Sequence, residues 1–190
     1  IVLTGCSGGA TEPPEAVARM NASIERFNDA VLKNPADENA IENALEKHTD
    51  QLENVLESLE YYAENDVINP RQTAEKLLAP LKRWKDEKLA SVYRLARANA
   101  AKLSLTNKNI ETALQEITGL DNKINTQLMK ILSDLAKQID DTTLKETITA
   151  FGGKYYDVRE IVEHYIKITN EYAKELENAK SAGEVVACMD

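Results

Sequence analysis

An all-α fold is the class this sequence predicts, and three observations carry it. From Glu12 onward apolar residues recur at steps of three and four, the period of a helix with one buried face. No stretch alternates apolar and polar residues over the length of a strand. The gaps between apolar stripes hold Asn-Pro, Thr-Asn and Asp-Thr, residues that start or stop helices.

The first helix, about residues 12 to 33, places Val17, Met20, Ile24, Phe27 and Val31 on one stripe. Asn34-Pro35 is expected to end it and open the next, with Asn as N-cap and Pro at the first helical position. The second helix, about 36 to 65, carries Ile41, Leu45, His48, Leu52, Val55, Leu59 and Tyr62 at four-three spacing. Asn69-Pro70 repeats the device, with Gln72 completing a capping box. The third helix runs to about Leu103 and should bend at Pro80, which lacks one backbone donor. Thr106-Asn107 caps the fourth, whose stripe from Ile110 to Leu135 is interrupted by Gly119 and Asp121. Thr143 and Glu146 form a capping box for the fifth, which reaches Ser181-Ala182-Gly183. The apolar faces of the second and fifth helices are too wide for a two-stranded coiled coil. Short connections then imply an elongated up-and-down antiparallel bundle, four long helices plus a shorter N-terminal one, over a single domain at 15–190. The long helices would measure roughly 45 to 55 Å.

The chain has 190 residues, 43% hydrophobic and 29% charged, enough for one domain to bury roughly 70% of its unfolded surface without a metal or crosslink. Acidic residues outnumber basic ones by 32 to 23, a balance that repels phosphate backbones and argues against nucleic acid as a partner. No run of 18 apolar residues is present, so no segment reads as a membrane span.

The chain opens Ile1-Val2-Leu3-Thr4-Gly5-Cys6-Ser7-Gly8-Gly9-Ala10, an apolar stub followed by small residues. Leu3-Thr4-Gly5-Cys6 resembles the lipobox of bacterial lipoproteins. The resemblance implies that residues 1–5 end a signal peptide, that cleavage precedes Cys6, and that Cys6 carries a diacylglyceryl thioether and usually an acylated amine. Two or three acyl chains anchor stably, each buried methylene contributing about 0.8 kcal/mol. Residues 6–14 would form a tether reaching at most about 28 Å, and the resemblance places the protein in the cell envelope, facing outward or, in a Gram-negative cell, the periplasm. Ser7 after the cysteine favours the outer membrane in that lineage. A lipidated Cys6 leaves Cys188 without a disulfide partner.

Chemical motifs are few. The residues three before His48 and His164 are Leu45 and Ile161, so the Glu-x-x-His pairs that hold metals in bundles are missing. So are the zinc, haem, phosphate-loop and esterase signatures, and no catalytic residue, metal or cofactor is expected. His48 lies on the core stripe and reads as a hydrogen-bonded structural histidine. Asp140-Asp141 reads as a cap and turn. Gly152-Gly153 inside a strong helix costs about 1 kcal/mol per glycine relative to Ala. With Tyr155, Tyr156, His48 and Asp121 it marks the alternative site, a pocket for a small ligand or metal. Residues 70–108 carry 10 basic and 3 acidic side chains; Lys76, Arg83, Arg94 and Arg97 fall on one face, either solvated or a patch for an anionic lipid, wall polymer or acidic protein. Direct salt bridges with the second helix are not expected. The expected function is a non-enzymatic, lipid-anchored envelope protein that binds another macromolecule.

Overall fold

A computed structural model describes residues 10–65 and 67–153. These residues are all-helical with no strand, as the periodicity predicts, and form six α-helices where five were expected. They are α1 (Pro13–Lys33), α2 (Glu38–Glu64), α3 (Pro70–Trp84), α4 (Glu87–Leu103), α5 (Lys108–Gln138) and α6 (Thr142–Gly153). The chain divides into two compact units, Ile1–Gly152 and Gly153–Asp190. The fifth predicted helix beyond Gly153 lies outside the described residues.

The apolar stripes are the buried faces. Val17, Met20, Ile24, Phe27 and Val31 of α1 pack with Ile41, Leu45, Leu52, Val55 and Leu59 of α2, each less than 5% exposed. Hydrogen bonds fix the directions. Thr11 N–H donates to Ser58 and Ser23 meets His48, so α1 and α2 run antiparallel. Asn21 Nδ2 donates to the Pro80 carbonyl and Arg83 to Glu25, so α1 and α3 run parallel. Arg97 reaches Thr118 and Asp121, while Tyr93 also reaches Asp121, so α4 and α5 are antiparallel. Asn107, at the start of α5, bonds Glu38 and Glu42 at the start of α2, so those two are parallel.

Several helix ends differ from expectation. The predicted third helix is two helices, and the break falls at Lys85-Asp86 rather than at Pro80. Pro80 withholds one donor, yet α3 continues past it for another turn. Asp86 stops the run because its carboxylate accepts the Lys88 and Leu89 N–H groups, an N-cap that requires non-helical backbone at Asp86. Asn34 does not cap α2: its amide donates back to the Ala30 carbonyl, and Asp37 caps α2 by accepting from Ala40 N–H. Asn69 makes no side-chain cap bond, so the capping box with Gln72 is not formed. At α6 it is Asp141, not Thr143, that accepts from Leu144 N–H, which gives the Asp140-Asp141 turn its cap.

Three ion pairs join helices or their caps, Arg83 to Glu25, Arg97 to Asp121 and Arg71 to Asp141, and none of them involves the second helix. The first and third lie at side chains well open to water, where such pairs contribute at most about 1 kcal/mol.

Gly119 does not interrupt α5, which runs unbroken from Lys108 to Gln138. A Cβ added there would meet nothing within 4 Å, and its φ is not positive. Gly119→Ala is therefore expected to stabilise the fold by about 0.5–1 kcal/mol, because alanine loses less backbone freedom in a helix. A thermal melt should rise by about 1–4 °C; a fall would show that the site needs glycine for another reason.

Candidate functional site

The most concentrated polar chemistry in the described core is built around His48. The residue falls on the inward face of α2, between Leu45 and Leu52, and is 2% exposed. The same period that buries those leucines buries the imidazole, which must then find partners on neighbouring helices. Ser23 of α1 lies 2.7 Å from Nδ1 and the Tyr93 hydroxyl of α4 lies 2.8 Å from Nε2. Tyr93 donates onward to Asp121 Oδ2 of α5 at 3.3 Å, and Arg97 Nη1 of α4 donates to the same oxygen at 2.9 Å. Four helices thus share one continuous relay from Ser23 to Arg97.

Rings close around it. Phe27 stacks on His48 with centroids 5.0 Å apart and meets Tyr93 edge-on at 5.8 Å. The Arg97 guanidinium sits 5.5 Å from the centre of the Tyr93 ring, within cation–π range. Arg97 and Asp121 are 27% and 28% exposed, so the relay begins near water and ends in the core.

Donors and acceptors assign one tautomer. With Asp121 ionised, Tyr93 O–H donates to it, His48 Nε2–H donates to Tyr93, and Nδ1 accepts from Ser23 O–H. Burial, followed by the positive charges of Arg97 and Arg26, lowers the His48 pKa from 6.5 to about 4, so the ring is neutral at neutral pH. Burial also pushes the Tyr93 hydroxyl well above its usual range, with Asp121 adding to the shift. Asp121 is raised to about 6: loss of water outweighs the attraction of Arg97 and the bond from Tyr93.

A serine beside a histidine invites comparison with an activated nucleophile. Ser23 is only 3% exposed, and the cavities of about 500, 750 and 400 Å3 on this unit are lined by other residues. Ser23 and His48 thus tie α1 to α2, and Tyr93 and Arg97 extend the tie to α4 and α5.

The chain is similar to a viral protein. It is 29% identical over 133 residues to Protein P1 of rice tungro bacilliform virus (isolate Philippines), covering 66% of this chain. The chain spans 62% of that protein's length. No family model matches the chain, and no solved structure matches it.

Of the residues singled out from sequence, the structure brings His48 and Asp121 together through Tyr93. Gly152 and Gly153 are the last two residues of α6; Tyr155, Tyr156, Cys6 and Cys188 lie outside the described residues. Among the described residues, no group of three or more His, Cys, Asp or Glu side chains could hold a metal ion. The basic face is divided: Arg97 belongs to the relay, Arg83 lies between Glu25 and Asp86, Arg94 donates to Ser91, and Lys76 is exposed on α3. Sequence reasoning missed Ser23 and Tyr93. The signal for Ser23 was a small hydroxyl next to Ile24 on the buried side of the first helix; nothing local distinguishes Tyr93.

Proposed function

We propose that the chain is a lipid-anchored protein of the bacterial cell envelope, attached at Cys6, whose helical body binds another envelope or extracellular macromolecule and performs no catalysis. The observation that carries the reading is Leu3-Thr4-Gly5-Cys6, followed closely by the first described contacts of the body. Thr11 N–H donates to Ser58, and Tyr62 O–H donates to the Ala10 carbonyl. α1 starts at Pro13, so the free tether is shorter than residues 6–14. From Cys6 to Ala10 the chain would reach at most about 14 Å, and the end of the body that holds the α2 C-terminus would lie against the lipid.

The helix directions described above support an up-and-down bundle as the form of that body. None of the described helices is long and apolar enough to cross a membrane; in this reading the acyl chains alone attach the protein.

The test is metabolic labelling with radioactive palmitate of the protein expressed from its natural gene in a bacterium that processes lipoproteins. The wild type should take up label and sediment with membranes. Cys6→Ser should lose the label and its mature N-terminus. An unlabelled, unprocessed wild type overturns the proposal.

A further inference from the structure

Among the described residues, four large apolar side chains stand open to water: Tyr61, Ile68, Leu95 and Leu105. Exposed apolar residues placed singly are ordinary, so position has to decide whether any of them matters. Leu95 lies midway along α4. Leu105 lies between α4 and α5, at the end of the unit where α2 starts, since Asn107 bonds Glu38 and Glu42. Ile68 lies at the opposite end, in the connection from α2 to α3, and Tyr61 is in the last turn of α2 beside that connection.

The end that carries Ile68 is also the end at which residues 10 and 11 meet the body. Thr11 N–H donates to Ser58, and the Tyr62 hydroxyl donates to the Ala10 carbonyl. The connection itself is held in shape. Val67 packs partly buried against the core, Pro70 sets the first turn of α3, and Ile68 between them is left outside at 92% exposed. An isoleucine in that position costs free energy in water, and Val67 already occupies the inward place.

Charge narrows what could cover it. The last turn of α2 has no basic residue, Glu64 there is exposed, and Asp66 precedes Val67 in the sequence. Arg71 is paired with Glu75 and Asp141, and Lys137 with Asp134. Anionic headgroups would therefore meet net negative charge, whereas a zwitterionic surface takes up apolar side chains without that repulsion. We infer that the α2–α3 connection makes an orienting contact with the membrane, Ile68 entering the boundary between headgroups and acyl chains of a zwitterionic leaflet and the Tyr61 ring lying at headgroup level. The inference rests on the anchor at Cys6. The chain from Cys6 to Ala10 spans at most about 14 Å, so the acyl chains hold this corner at the surface. One isoleucine is too weak to bring a protein to a membrane, but it can orient one already attached.

The experiment uses the full chain, lipidated by a host that processes lipoproteins and reconstituted into phosphatidylcholine vesicles. Cys188→Ser removes the competing thiol, and Asn69→Cys carries an NBD fluorophore; the Asn69 side chain makes no cap bond, so α3 does not depend on it. The fluorophore should shift to the blue and be quenched by nitroxides attached to lipid acyl chains. The same label at Leu105→Cys, 89% exposed at the other end in the wild type, should do neither. Ile68→Asp beside the Asn69 label should lower the ratio of inserted to free fluorophore about tenfold, the order expected for withdrawing one isoleucine from an apolar phase. Ile68→Leu should restore it. Ile68→Asp should leave palmitate uptake at Cys6 and the urea midpoint unchanged, as expected of an exposed position. Added phosphatidylglycerol should not strengthen the signal. A palmitate-labelled protein whose Asn69 fluorophore is quenched no more than the one at Leu105, or equally after Ile68→Asp, overturns the inference and leaves the anchor standing. A blue shift without acyl-chain quenching overturns it in favour of a second copy of the chain. Absence of palmitate removes the anchor, and the inference with it.

Discussion

Phe27→Ala is expected to destabilise the first unit by about 3–5 kcal/mol, the range found when a large buried aromatic is truncated. Phe27 is 2% exposed and is among the largest fully buried side chains of the core. Its ring covers one face of the His48 imidazole and the edge of Tyr93, so the truncation leaves a cavity beside the relay as well as losing apolar burial. Set against the 5–15 kcal/mol that holds most domains together, the variant should sit near its unfolding transition at room temperature. Urea unfolding gives the measurement. A loss below about 1 kcal/mol would mean that the core collapses around the gap and that the ring stack is energetically idle.

The second large effect is the pH dependence hidden in the relay. His48 titrates at about 4 in the fold and 6.5 in the unfolded chain. Its contribution is therefore present above pH 6.5 and lost as pH falls toward 4, a change of about 3 kcal/mol. Asp121 has the opposite sign. Its pKa rises from 3.8 to about 6 on folding, so the ionised carboxylate costs stability above pH 6 and the cost is relieved as pH falls toward 4. The side chain is 28% exposed, which limits that term to about 2–3 kcal/mol. The charged or titratable groups around them are Arg26 from α1, Tyr93 and Arg97 from α4.

Between pH 6 and 4 the two contributions nearly cancel, and the relay adds little slope in the wild type. Asp121→Asn removes the acid and should expose the histidine slope, with stability falling by about 3 kcal/mol from pH 7 to pH 4. His48→Gln should be less stable at pH 7 by about 1–3 kcal/mol, from buried partners left unpaired, and should gain stability on acidification over the same range. Urea midpoints at several pH values separate the cases. Parallel curves for all three proteins would show that neither group is perturbed by folding.

The fold class was legible because apolar period is a local property. Stripes such as Val17 to Val31 and Ile41 to Leu59 announce both a helix and its buried side, and the structure buries those residues. Helix ends were less legible because the same residue types serve opposite ends. Asn34 could cap forward or backward, and only the tertiary path decides that it bonds to Ala30. Pro80 drew attention as a breaker, while the cap at Asp86, two and three residues before Lys88 and Leu89, was the stronger signal. His48 was visible as an oddity on an apolar stripe and Asp121 as another. Their connection was not, since it needs α1, α2, α4 and α5 to meet, and no spacing within one helix encodes that meeting.

α2 and α4 are attached in different ways. α2 buries eleven side chains, whereas α4 buries three, Leu89, Ala96 and Ala100, two of them alanines. What keeps α4 in place is largely directional, through Tyr93 and Arg97. Contacts of that sort vanish as soon as water competes for them, while apolar area yields gradually. When the bundle breathes, α4 is expected to lift before α2, a plank taking its phenol and guanidinium out together. The dryness of the imidazole lasts only as long as that plank stays down.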